Sequence, residues 1–159
     1  MKVLGIVGHS DAGKTTLLER LVPAFGSTTR VATVKSIHHD IELDTPGSDT
    51  HRHATAGAET VVGITPSRTF EIRRRPGGGE SAAKLFALRN RLIRLRERDY
   101  DVVLVEGFHR ARCPKLVVGE RVPDETAPRV LAHVAGPDAL DVQALVATVL
   151  SGEADERDG

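Results

Sequence analysis

The sequence predicts an α/β layered domain with a mostly parallel central sheet flanked by helices, and three observations carry that expectation. Short apolar runs, residues 3–7 and 102–105, alternate with stretches whose leucines recur at helical spacing. The first run passes directly into Gly8-x-x-x-x-Gly13-Lys14-Thr15 and from there into a helical pattern. The second run ends on Glu106-Gly107, a carboxylate at the end of a buried strand. Alternation of strand and helix builds parallel sheets through right-handed crossovers.

Residues 3–7 read as a central strand, and Leu17, Leu18, Leu21 and Val22 then mark a helix of about ten residues that stops near Pro23 and Gly26. Residues 30–35 form a second strand, which opens into a long polar stretch from Ser36 to Thr50. Connections of that length are functional or disordered in most compact domains. Ser48 or Asp49 is placed to cap a short helix running to Ala58, and residues 60–65 and 69–74 flank Pro66-Ser67 as a hairpin. Gly77-Gly78-Gly79 is a flexible break. Beyond it, Leu85, Leu88, Leu92 and Leu95 form a stripe on an arginine-rich helix ending near Asp99, with the stripe toward the sheet. Residues 115–118 and 130–134 are two further strands, and residues 139–150 a last amphipathic helix capped by Asp138 or Asp141. One nucleotide-binding domain over residues 1–152 is expected, followed by a disordered polar tail, 153–159.

Composition narrows the function. Lys and Arg total 22, as do Asp and Glu, so no global field attracts a polyanion and anion recognition must be local. Arginines 89, 91, 94, 96 and 98 read as a solvated helix face, because the chain has no Trp and only four Phe and one Tyr to stack on bases. Nucleic acid is therefore not an expected partner. The amino-terminal apolar run is too short for a signal-peptide core, and no run is long enough to span a membrane. The single cysteine, Cys113, has no internal disulfide partner. A cytoplasmic protein is expected.

The glycine loop is the sharpest feature. Its glycines allow backbone N–H groups to turn inward around phosphates, its lysine neutralises the β- and γ-oxygens, and its hydroxyl suits Mg²⁺. Gly8, Ser10, Asp11, Ala12, Gly13, Lys14, Thr15 and Thr16 are thus candidate nucleotide-binding residues, with Lys14 also a candidate catalytic residue. The pattern with an additional early lysine is excluded, because that position is His9. Together the motif and its strand-to-helix setting predict a three-layer P-loop NTPase fold. Glu106, at the carboxyl end of its strand, lies where open α/β sheets place ligands and is the candidate partner for Mg²⁺ or an attacking water. Thr15 and Glu106 are therefore the candidate Mg²⁺ ligands.

His38, His39, Asp40, Asp44, Asp49, His51 and His53 crowd one polar segment. Imidazole and carboxylate suit zinc or nickel, but neither a C-x-x-C pair nor a helical H-x-x-x-H spacing accompanies them, which favours nucleotide or anion recognition. Lys35 ends its strand where it could face phosphates, and Arg52 near a helix start could clamp an anion; a solvated surface charge fits either residue equally.

Three segments together resemble the molybdopterin-guanine dinucleotide biosynthesis protein B family, MobB. They are residues 8–21, beginning at the glycine loop; residues 34–58, with Val34-Lys35-Ser36-Ile37-His38-His39-Asp40, Asp44-Thr45-Pro46-Gly47-Ser48-Asp49, Arg52-His53 and Ala56-Gly57-Ala58; and Val105-Glu106-Gly107-Phe108 with Pro114-Lys115. The resemblance implies a GTP-binding, weakly GTP-hydrolysing homodimer that needs Mg²⁺. Its partners would be molybdopterin and the guanylyltransferase, MobA-like, that joins GMP to molybdenum cofactor. Asp40, Asp49 and Arg52 would then belong to a loop facing nucleotide or pterin. Ser36 stands where the family is expected to have histidine, and no N-K-x-D motif is present, so guanine preference rests on the resemblance. Two other functions fit the same loop: a GTP-dependent metallochaperone using the histidine segment, and a P-loop small-molecule kinase or ligase.

Overall fold

A computed structural model describes residues 1–74, 81–120 and 129–153. The glycine run 77–79 and all of the expected tail 153–159 except Glu153 lie outside the described residues. The chain divides into two compact units, whose described parts are residues 1–37, 81–120 and 129–153 in the first and 38–74 in the second.

The first unit is built on strands β1 (Lys2–Val7), β2 (Val31–Lys35), β5 (Val102–Glu106), β6 (Lys115–Val118) and β7 (Val130–Val134). They form one sheet in the order β2-β5-β1-β6-β7, with every neighbouring pair parallel and β1 in the middle. Alternation along each strand sorts side chains to two faces. One face carries Leu4, Ile6, Val102, Leu104, Leu116 and Val118, and it is covered by helix α1 (Lys14–Ala24) through Leu17, Leu18 and Leu21 and by helix α4 (Val142–Ser151) through Leu145, Val146 and Val149. The other face carries Val103 and Val105 and is covered by helix α3 (Ser81–Glu97), whose Leu88 is buried there with Leu85, Leu92 and Leu95 packed around it. Two helical layers around a parallel sheet give the three-layer α/β architecture expected of the sequence. Among the described residues, no helix is long and apolar enough to cross a membrane.

Several boundaries differ from the expected ones. The last helix starts at Val142, after a 3-10 turn at Pro137–Ala139, because Asp141 is the cap and accepts a 3.0 Å bond from Ala144 N. The Asp138 carboxylate is instead paired with Arg20 at 3.1 Å. Helix α1, by contrast, ends at Ala24, between the Pro23 and Gly26 that were expected to stop it.

In the second unit, helix α2 (Asp49–Thr55) is capped by Ser48, whose side chain accepts from His51 N at 3.1 Å. It ends before Ala58, since Gly57 adopts φ 109, a left-handed conformation that closes helices. Strands β3 (Thr60–Ile64) and β4 (Thr69–Arg73) pair antiparallel as the expected hairpin. Phe70 lies over Gly63, where a Cβ would stand 2.2 Å from the ring. Ahead of α2, Asp44 accepts from Thr45 N at 2.8 Å, and hydrogen bonding from the Thr50 side chain is the main cause that holds its carboxyl below the ordinary range.

Two outcomes follow from this packing. Leu104 is fully buried in the central sheet, so Leu104→Ala should cost about 2–5 kcal/mol in urea unfolding through lost transfer energy and the cavity left behind. The depressed Asp44 pKa means the folded state binds the proton less readily than the unfolded one, so its stabilisation is present above the ordinary carboxyl value and is lost as pH falls through the folded value. Asp44→Asn should remove that acid-side dependence, read by following the α2 and hairpin amide resonances in an acid titration.

Candidate functional site

At the carboxyl edge of the first sheet, the chain leaves β1 through residues 8–13 and re-enters structure as α1. Gly8 has φ 153, and a Cβ there would stand 2.2 Å from the Val118 carbonyl oxygen. Gly13 has φ 87, serves as the α1 N-cap without a side chain, and packs so closely on Pro137 that a Cβ would meet its Cδ at 2.7 Å. Both positions therefore require glycine for conformation and for space. Asp11 also adopts a positive φ, 60. Lys14 Nζ folds back to donate to His9 O across the loop. The first turn of α1 contains no acidic residue, so its positive end is not offset from within, and Thr15 and Thr16 are exposed there.

The loop is braced from its far side. Arg20, midway along α1, donates to Pro137 O as well as pairing with Asp138, which holds the turn after β7 against Gly13. Gly119, just past β6, has φ 96, and a Cβ there would contact the Ala12 Cβ at 3.3 Å.

Glu106 ends β5 with its side chain only 8% exposed. Alternation places it on the α1 face with Leu104, and the register pairs it with Lys35 of β2. Lys35 Nζ donates to Glu106 Oε1 at 3.0 Å. Lys35, Glu106 and Thr15 line one cleft of about 460 Å³ between α1 and β2, floored by Leu18, Val22, Pro23 and Val34. The hydroxyl and carboxylate expected to serve Mg²⁺ thus share a single cavity, and the oxygen-donor set is of the kind a hard cation takes.

Asp40, Asp49 and Arg52 lie in the second unit and are exposed; Asp49 and Arg52 approach one another at 3.8 Å. His38, His39 and His53 are exposed, while His51 Nδ1 accepts from Gly47 N at 3.3 Å. Among the described residues, no group of three or more His, Cys, Asp or Glu comes together to hold a metal ion.

Sequence reasoning singled out Lys115 only as part of the resemblance and gave it no role of its own. It is a lysine with no exposed surface, on the α3 face of the sheet, whose Nζ donates to Ala111 O and, at 2.9 Å, to Cys113 O. Burial lowers its pKa. Its stem lies beside Gly5 of β1, where a Cβ would stand 2.9 Å from Lys115 Cγ. The glycine inside an otherwise apolar strand was the available signal.

A family model described as molybdopterin guanine dinucleotide synthesis protein B, MobB, matches residues 3–136. A putative molybdopterin-guanine dinucleotide biosynthesis adapter protein of Methanocaldococcus jannaschii is 34% identical over 122 residues, covering 74% of this chain and 47% of that protein. The chain thus spans about half the length of that relative. The adapter proteins of Haemophilus influenzae and Escherichia coli are 32% and 31% identical, covering 83% and 96% of this chain and 71% and 89% of theirs. Among solved structures, a molybdopterin-guanine biosynthesis protein B superposes with a TM-score of 0.67 at 28% identity, covering 94% of this chain and 98% of that one. Bacillus subtilis MobB superposes at 0.59 with 25% identity, covering 84% and 77%. With a glycine loop braced at the carboxyl edge of a parallel sheet and the family model matching across it, the chain belongs to the MobB family, and its role lies in molybdopterin guanine dinucleotide biosynthesis.

Proposed function

We propose that the chain is a GTP-binding adapter with slow, Mg²⁺-dependent GTPase activity that assists the guanylyltransferase attaching GMP to molybdenum cofactor. The observation that carries this reading is the shared edge: a glycine loop with an uncompensated helix N-terminus and a buried carboxylate that lines one cleft with Thr15. Backbone N–H groups of residues 8–14 would hold the phosphates, and Lys14 would leave His9 O to neutralise them. Thr15 and Glu106 would hold Mg²⁺, which when bound neutralises charge on the β- and γ-oxygens. Glu106, desolvated and fixed at a strand end, would orient the attacking water. Thr16 would contact the α-phosphate. Asp40, Asp49 and Arg52 would serve the nucleotide or the pterin side, and the working form would be a cytoplasmic homodimer.

The metallochaperone alternative draws no support from the histidine segment, where the described residues assemble no metal centre. No feature of the described residues favours a dedicated kinase or ligase pocket over the adapter reading.

Isothermal titration calorimetry should detect Mg²⁺-dependent GTP binding that Lys14→Ala abolishes, with ATP bound far more weakly; equal affinity for the two nucleotides would remove the guanine assignment. Hydrolysis by the purified chain should run at about 10⁻³ per second or slower, the range of P-loop GTPases without an arginine supplied in trans. Phosphate-release assays giving several turnovers per second would contradict the adapter reading.

A further inference from the structure

We infer that Lys35 is a positioning residue for Glu106, one that holds the carboxylate in the orientation Mg²⁺ requires without itself touching the nucleotide; the inference rests on the function proposed above. β2 and β5 are parallel neighbours, and their register sets Lys35 beside Glu106. Alternation puts both side chains on the α1 face, at the carboxyl edge where Thr15 also lies. The Glu106 side chain is 8% exposed while that of Lys35 is 54% exposed, and the 3.0 Å bond between them engages one carboxylate oxygen, Oε1.

Burial of an ionised carboxylate is costly unless it is paired and hydrogen-bonded, so this contact has a physical task at a strand end that packing has already desolvated. The backbone on either side is fixed independently of the lysine. Ser36 N donates to Glu106 O at 2.9 Å, and Gly107 N donates to Ile6 O at 3.0 Å. What remains free is the side-chain torsion of Glu106, and the ammonium restrains it. With Oε1 committed, Oε2 is the oxygen left for the cation. A partner that lay deeper would compete for the whole carboxylate; a lysine whose stem is half in solvent holds one oxygen and keeps its remaining donors in water.

This role differs from direct phosphate contact in a measurable way. A lysine on phosphate contributes to affinity with or without Mg²⁺, whereas a lysine acting through Glu106 contributes only to the Mg²⁺-dependent part, and only while Glu106 is a carboxylate.

A fluorescent GTP analogue titrated into the full chain, in EDTA and in Mg²⁺, measures both parts for the wild type, Lys35→Met, Lys35→Arg, Glu106→Gln and the Lys35→Met/Glu106→Gln double variant. Lys35→Met should lower the Mg²⁺-dependent gain in affinity about tenfold, within the usual range of coupling between two sites. The affinity in EDTA should stay within about twofold of wild type, and Lys35→Met should add less than about twofold in the Glu106→Gln background. Lys35→Arg, which keeps the charge and a donor, should restore most of the gain. Equal loss in EDTA and Mg²⁺, or a further loss in the Glu106→Gln background, would overturn the inference in favour of phosphate contact. An unchanged Mg²⁺ gain in Lys35→Met would overturn it as well. If Lys35→Met does not fold, the double variant removes the unpaired carboxylate, and its comparison with Glu106→Gln and Lys35→Arg decides the matter. A wild-type chain that binds no nucleotide in either buffer sinks the functional reading, and this inference with it, whereas normal binding that is indifferent to Lys35 sinks this inference alone.

Discussion

The approach of the Gly8 backbone to the Val118 carbonyl is the constraint on which the carboxyl edge of the sheet depends. A Cβ at position 8 would stand 2.2 Å from that oxygen, and backbone cannot yield as a side-chain tip can. Because β1 is the middle strand, paired to β5 on one side and β6 on the other, the loop leaving it starts at the centre of the sheet edge. Gly13 repeats the constraint against Pro137, and Arg20 fastens that turn to α1. The loop's conformation is thus set by contacts with the end of β6 and with the turn after β7, and the hydroxyls of Thr15 and Thr16 are left exposed at the helix start.

The same device appears inside the sheet. Gly5 leaves a gap on the α3 face that the stem of Lys115 fills, and the ammonium ties the Ala111 and Cys113 carbonyls that precede β6. The connection from Glu106 to Pro114 is thereby closed by a buried cation donating to backbone, which supplies the hydrogen bonds a buried ammonium requires. Desolvation opposes that charge, as its lowered pKa records. Glycine thus shapes this edge twice, once at Gly8, where the chain leaves β1 into the glycine loop, and once at Gly5 within β1, beneath the connection that follows the acidic strand.

Much of this was legible in the sequence because it is local. The apolar runs of β1 and β5, the leucine spacing of α1 and α3, and the turn residues of the β3–β4 hairpin all announce themselves within a few residues. The glycine loop was legible for the same reason. What escaped depends on partners distant in sequence. Asp138 and Asp141 are equally good helix caps by type; Arg20, 118 residues from Asp138, claims the first and leaves the second to cap α4. Lys35 and Glu106 are 71 residues apart, and nothing local says that β2 pairs with β5 rather than with β1. The Ser36–Thr50 stretch read as one long connection, and its own hydrogen bonds, Asp44 to Thr45 and Ser48 to His51, are what organise it ahead of α2.

The cations at the loop edge also bear on what kind of catalyst this would be. A chain with no net charge draws no anion from a distance, so phosphate recognition would fall to the helix N-terminus, the loop N–H groups and whichever cations stand close by. Among the described residues, Lys14, Arg20 and Lys35 stand there, each already engaged: Lys14 with His9 O, Arg20 with Pro137 O and Asp138, and Lys35 with Glu106. Only Lys14 belongs to the loop, where leaving a neutral carbonyl for a phosphate costs little. Arg20 and Lys35 would each have to abandon a carboxylate, and for Lys35 that carboxylate is buried, so the exchange would strand a charge. On the reading proposed above, the loop lysine and the amides around it would hold the nucleotide, while Arg20, the arginine beside the loop, is already committed to Asp138. In an adapter that would be a useful balance: the bound state would persist for a partner to act on, and any faster chemistry would have to come with that partner.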